Sequence, residues 1–168
     1  MDVPAELKVI FEAFERNSRV TRALLATMKM EDLDYSDGVG GFSIGQHVAD
    51  IVDFRPGWLS KVSPKHAEQV PDVTDPNDPN WLAAKSIEEL QAAFDAGDAA
   101  VKEAVLSAVQ EGRSFEKVYE SHPAQFMVHT IVHDSHHRGQ ILALLRQAGR
   151  PAEVREELEE KTWAMWRE

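Results

Sequence analysis

The sequence predicts an all-α protein: four long antiparallel helices in a bundle, with a short fifth helix appended at the C-terminus. Three observations carry this. Apolar residues recur at three- and four-residue spacing along nearly the whole chain. No segment alternates with period two for long enough to make a strand. Helix start and stop signals punctuate the periodic stretches. At 168 residues the chain fits one domain, residues 1–168, long enough to bury a real core.

The first helix is predicted over about residues 4–29. Leu7, Ile10, Phe11, Phe14, Thr21, Leu24, Leu25 and Met28 make its stripe. The Asp37-Gly38 pair, with Gly40 and Gly41, then breaks it. Ser43 followed by Gln46 is a capping box that opens a second helix, reaching about Ser63 along Ile44, Val48, Ile51, Val52 and Leu59. Pro56 predicts a kink or an early end near Arg55. Residues 64–85 hold four prolines and three aspartates and read as a long surface loop. Trp81 within it reads as a packing anchor, with a lid over a pocket as the other role.

A third helix starts at Ser86, with a second capping box to Glu89, and runs to about Gln110. The fourth is predicted from about Pro123 to Ala148, ended by Gly149 with Pro151 beyond. A last amphipathic helix covers about 151–166.

Composition restricts function. A formal net charge of −11 disfavours nucleic acid, whose phosphates need clustered Lys and Arg. No window approaches the roughly 20 apolar residues of a membrane span. The N-terminal MDVPAELKVIFEAFERN lacks the basic and apolar regions of a signal peptide, so the expected location is cytoplasmic. With no cysteine, the chain has no disulfide and no thiol nucleophile of its own.

The chemistry concentrates in HTIVHDSHHRGQI, residues 129–141, which holds four of the seven histidines. His129, His133 and His137 follow one another at four-residue spacing and form a column that should face inward, beside Phe126, Leu144 and Ala148. A buried neutral imidazole needs partners for its nitrogens, and stacked imidazolium charges repel. An HxxxH pair converging on a divalent metal resolves both difficulties. Asp134 follows His133, so this is not the HExxH of a zinc protease. A third ligand must come from another helix, and the second offers His47 and Asp50 on one side. Gln140 lies near the column and could bond a ligand or substrate. His129 and His136 are candidates for supporting or lining the site. Arg138 projects away from it, toward an ion pair or an interface, and Gly139 would let a neighbouring helix approach.

HxxHHRGQIxxxLRxxG, His133 through Gly149, resembles the signature of the DinB/YfiT-like superfamily, as does Phe42-Ser43-x-x-Gln46 opening the second helix. The resemblance spans essentially the whole chain and implies a four-helix bundle, commonly a homodimer. It implies one divalent metal per chain, zinc or nickel ahead of iron or manganese, held by the HxxxH pair and a second-helix histidine. The pair carries over to His133 and His137. Counted from the aromatic–Ser pair, the second-helix ligand falls on Asp50, while His47 lies nearly one turn earlier. Asp50 is preferred, although periodicity argues for His47, and both stay in the candidate set.

The resemblance further implies a thiol-dependent S-transferase acting on a small electrophile through a thiolate on the metal, with a low-molecular-weight thiol as co-substrate. The alternatives are a hydrolase using metal-bound hydroxide and a non-catalytic, stress-associated metal-binding protein. A small-molecule substrate is expected, with neither nucleic acid nor membrane as partner.

Overall fold

The computed structural model describes residues 3–150 and 152–168, and six α-helices among them. The chain enters α1 (Lys8–Thr27) through a 3-10 turn at Ala5–Leu7, and a second 3-10 turn follows at Met30–Asp34. The single helix expected over 4–29 is therefore shorter. Met28 turns extended (φ −83°, ψ 155°) and ends α1, and Met28 and Leu33 are both buried at that end of the core.

The box that opens α2 (Ile44–Val62) is present. Gln46 N–H donates to Ser43 Oγ at 3.0 Å and Ser43 N–H to Gln46 Oε1 at 2.9 Å. Pro56 does not end the helix, which continues to Val62. Proline there removes only the bond that its missing N–H would make to the Val52 carbonyl.

Residues 63–86 are not simply a surface loop. They form a one-turn helix, α3 (Pro64–Ala67), and a single antiparallel bridge between Thr74 and Leu82, and they bury Val70, Val73, Leu82 and Ala84. Trp81 is half-buried, with φ +59°, and its ring meets Phe42 edge-on at 4.9 Å.

The length of this segment has a topological cause. Ile44 and Ile51 of α2 pack with Leu90 and Phe94 of α4 (Ile87–Gln110) at one end of the bundle. Phe54 and Leu59 pack with Ala100 through Ala108 at the other. The two helices thus run parallel. The chain must return the length of α2, about 28 Å at 1.5 Å per residue, before α4 can start. A parallel crossover of this kind replaces the expected all-antiparallel order. α1 likewise runs parallel to α5 (Gln125–Gln147): Phe11 and Phe14 cluster with Phe126 and Met127, and Leu24 and Leu25 with Ile141 and Leu145. α2 and α5 are antiparallel.

At the start of α4, Glu89 N–H donates to Ser86 Oγ at 3.2 Å, but the Glu89 carboxylate accepts from Lys85 N–H at 2.7 Å, one residue outside the predicted box. α5 ends as expected. Gly149 adopts φ +77° and Arg150 N–H reaches the Leu145 carbonyl at 3.1 Å. α6 (Ala152–Arg167) packs along α1, where Arg16 Nη1 donates to the Met165 carbonyl at 3.1 Å. No helix among the described residues is long and apolar enough to cross a membrane.

The core is two apolar clusters separated by a buried polar layer. Arg55, fully buried, donates from Nε to Asp98 Oδ1 at 2.6 Å. Its two terminal nitrogens grip Asp134 at 3.1 and 2.7 Å, and Nη1 also bonds the Ile51 carbonyl at 2.8 Å. Asn17 Nδ2 donates to Asp134 Oδ2 at 2.8 Å. Arg138 is buried here, donating to Asn17 Oδ1 and Thr21 Oγ1, both at 2.7 Å, rather than serving an ion pair or an interface as expected. The layer thus draws side chains from α1, α2, α4 and α5. Gly97 makes room for it, since a Cβ there would lie 2.8 Å from Arg55 Cδ. Gly139, by contrast, is exposed with nothing within 4 Å of its Cβ position, so no helix among the described residues packs on it.

Candidate metal centre

The histidines of α5 form a graded series rather than one inward face. Each four-residue step along a helix turns the side chain by about 40°. His129 is therefore exposed, His133 half-buried and His137 buried; Ala148, expected near the column, is exposed. The face of α5 that points into the core carries Met127, Thr130, Asp134, Ile141 and Leu145 instead.

Opposite the column, α2 presents His47, Asp50, Phe54 and Trp58. Asp50 Oδ2 lies 3.3 Å from His137 Nε2, and Asp50 Oδ1 lies 3.7 Å from His133 Nε2. One ligand atom from each of these three residues falls within 4.8 Å of the others. His47 stands behind His137, Nδ1 to Nδ1 at 2.9 Å. Phe54 stacks on the His133 ring at 3.8 Å between centroids and fixes its plane.

The remaining candidates lie farther out. His129 meets Phe54 edge-on at 4.9 Å. Burial pushes the Tyr119 phenol up to about 12, and its hydroxyl shares a hydrogen bond with His129 Nδ1 at 2.8 Å. His136 is exposed and packs edge-on against His137 at 5.1 Å. Gln140 is exposed and makes no side-chain hydrogen bond among the described residues.

Electrostatics separate the groups. His133 holds Asp50 below the usual carboxylate range, helped by His137 and His47 against the opposing effect of burial. Burial and then His133 push His137 down to about 4. Burial also lowers His133, but Asp134 and Asp50 outweigh it and raise that residue. His47 is lowered, by burial first and His136 second. In the metal-free protein, an NMR titration should find His137 neutral down to about pH 4 while His133 titrates above its ordinary value. His137 titrating near its ordinary value would refute this order.

Asp50 also lines a cleft of about 270 Å³ with Ala49, Asp53, Thr74, Pro76 and Trp81. Asp53 and Thr74 are shared with a second cleft of about 390 Å³, between α2 and residues 67–74, where Glu68 and Asp72 add carboxylates. Among the described residues no Lys, Arg or His lines either cleft. Burial, then Asp72 and Asp50, raise the Asp53 carboxyl.

The Arg55–Asp98–Asp134 layer, one residue from His133, was missed in the sequence. Its signal was polar residues on core stripes: Asn17 and Thr21 between Phe14 and Leu24, and Thr130, Asp134 and Arg138 between Met127 and Ile141.

No curated protein and no solved structure matches the chain. The DinB family matches it over residues 1–168. With an all-α bundle and a His/Asp group able to hold a metal on facing helices, the chain belongs to the DinB family.

Proposed function

We propose that this protein is a metal-dependent enzyme of the thiol S-transferase type, joining a low-molecular-weight thiol to a small electrophile. The observation that carries the reading is the convergence of Asp50, His133 and His137 beside a cleft.

The donor set fits a divalent cation. Two donors each about 2.1 Å from a zinc ion at a tetrahedral angle stand about 3.4 Å apart. Asp50 Oδ2 stands 3.3 Å from His137 Nε2, near that value, and its other oxygen 3.7 Å from His133 Nε2, with one ligand atom from each of the three within 4.8 Å of the others. Two imidazoles and a carboxylate suit zinc, nickel, iron or manganese. Three protein donors leave a side open. Bound there, a divalent cation would lower the pKa of a thiol or a water arriving on that side.

The side chains around the triad do the positioning. Phe54 holds the His133 plane, and Ala49, Pro76 and Trp81 give the cleft an apolar wall for the electrophile. The thiol must come from a co-substrate, since the chain has no cysteine. Cleft charge narrows which thiol. Asp53, Glu68 and Asp72 face no basic side chain in the lining, so a thiol bearing several carboxylates meets like charge. A thiol with an uncharged body does not. The same observation favours a second reading, hydrolysis, because water as nucleophile needs no cationic partner.

The test loads the protein with zinc or nickel and offers an activated electrophile with an uncharged thiol or a carboxylate-bearing one. An activated ester without thiol runs in parallel. Transfer is expected with the uncharged thiol, and none from the His133→Ala, His137→Ala double variant. Ester turnover without thiol selects the hydrolase, and a fully loaded protein inert in every assay sinks both readings.

A further inference from the structure

His47 and His137 meet Nδ1 to Nδ1 at 2.9 Å in the interior. That is hydrogen-bond distance, so one nitrogen carries the proton and the other accepts it. A neutral imidazole has one N–H. The ring that donates from Nδ1 is bare at Nε2, and the ring that accepts at Nδ1 is protonated at Nε2. The two rings therefore hold opposite tautomers.

Two arrangements satisfy this. In one, His47 donates and the His137 proton sits on Nε2, facing Asp50 Oδ2 at 3.3 Å. In the other, His137 donates from Nδ1, its Nε2 is bare, and His47 carries its proton on Nε2. Only the second leaves the His137 Nε2 lone pair free to bind a cation. The first suits the metal-free protein, since it turns an N–H toward a carboxylate.

His133 has no such partner. Its Nδ1 is buried without a hydrogen bond, and the nearest carboxylate oxygen, Asp134 Oδ1, is 3.9 Å away. Among the described residues the outer hydrogen bond is built at His137 and not at His133.

We infer that His47 is a positioning residue: it accepts from His137 Nδ1, fixes His137 as the tautomer that binds through Nε2, and reverses its own tautomer when a cation loads. The inference rests on Asp50, His133 and His137 being the ligands. The proton between the two Nδ1 atoms crosses from His47 to His137. His137 releases its Nε2 proton to solvent and His47 takes one at Nε2, so the pair's net protonation is unchanged.

The test is long-range proton–nitrogen NMR on the wild type, metal-free and zinc-loaded, with zinc affinity of two variants. Expected in the metal-free protein are His47 protonated on Nδ1 and His137 on Nε2, and in the zinc-loaded protein the reverse. His47→Leu keeps the bulk and loses the acceptor, and should weaken zinc binding by about 10–100-fold. His47→Asn places a carbonyl oxygen near the lost Nδ1 and should restore affinity to within a few-fold of wild type, which a purely structural role for the ring would not predict. Wild type and His47→Leu binding zinc equally, Asn no better than Leu, or a His47 tautomer unmoved by zinc would each overturn the inference while leaving the site intact. A wild type that binds no divalent cation would overturn the metal site itself, and this inference with it.

Discussion

Replacing Arg55 with methionine will lower stability by about 3–5 kcal/mol, the expected cost of breaking a buried ion pair from one side. Among the described residues the guanidinium is the only cation in contact with both Asp98 and Asp134, which are 1% and 0% exposed. Methionine fills similar volume, so the loss comes mainly from two buried carboxylates that lose their direct partner, leaving Asp98 only Arg22 at 3.7 Å and Asp134 only the weaker influence of Arg138 and His133. Neither can turn to water, because the apolar clusters close the layer above and below.

The pH dependence should weaken as well. In the wild type, Arg55 outweighs burial and holds Asp134 well below the usual carboxylate range. That contribution is fully present above about pH 4, the unfolded value, and is lost as pH falls toward the folded one. Without Arg55, burial is opposed only by His133 and Arg138, and the Asp134 carboxyl rises from its wild-type position. The variant should then lose less stability than the wild type on acidification through the carboxylate range, where the Asp134 contribution in the wild type declines. Chemical denaturation at pH 7 and pH 4 measures both effects. Removing the charges together, as Arg55→Met with Asp98→Leu and Asp134→Leu, should cost less than Arg55→Met alone, although Asn17 then loses its acceptor. An Arg55→Met variant within 1 kcal/mol of wild type at pH 7 would show that the layer does not hold the bundle.

This layer also marks the limit of what the sequence discloses. The helices were legible because their signals are local: the Ser43–Gln46 box, the Gly149 stop and the apolar stripes depend on neighbours in the chain. Helix direction was not. That α2 and α4 run parallel depends on how far residues 63–86 travel, and their composition does not encode distance. Asp50, His133 and His137, whose ligand atoms the fold brings within 4.8 Å of one another, were legible as candidates, two by i,i+4 spacing and one by resemblance. The inward column was overread, because 40° of drift per step separates His129 from His137 by about 80°. Arg55 and Asp134 stayed hidden because a charge on an apolar helix reads as exposed until its partner, 79 residues away, is brought beside it.

Protein purified without a tag or chelator should carry one divalent cation per chain by elemental analysis. Asp50→Ala, His133→Ala and His137→Ala should each weaken its binding by more than about 100-fold, past the 10–100-fold that loss of an outer hydrogen bond costs. Such a variant removes a bond to the ion itself, whereas His47→Ala removes a bond to a ligand and should fall inside that interval. His129→Ala and His136→Ala should stay within tenfold, since one ring bonds Tyr119 and the other is exposed. The ranking discriminates between two architectures that share His133 and His137. With the Asp50 carboxylate as third donor, the site carries one negative charge, and His47 and His137 exchange a proton behind it. With His47 as the donor instead, its Nδ1 would have to leave His137 Nδ1, and Asp50 would become the outer group. Loss of metal in His47→Ala with retention in Asp50→Ala would establish that second arrangement and require the 2.9 Å His47–His137 contact to open on loading. Full retention in the His133→Ala, His137→Ala double variant would leave neither arrangement standing.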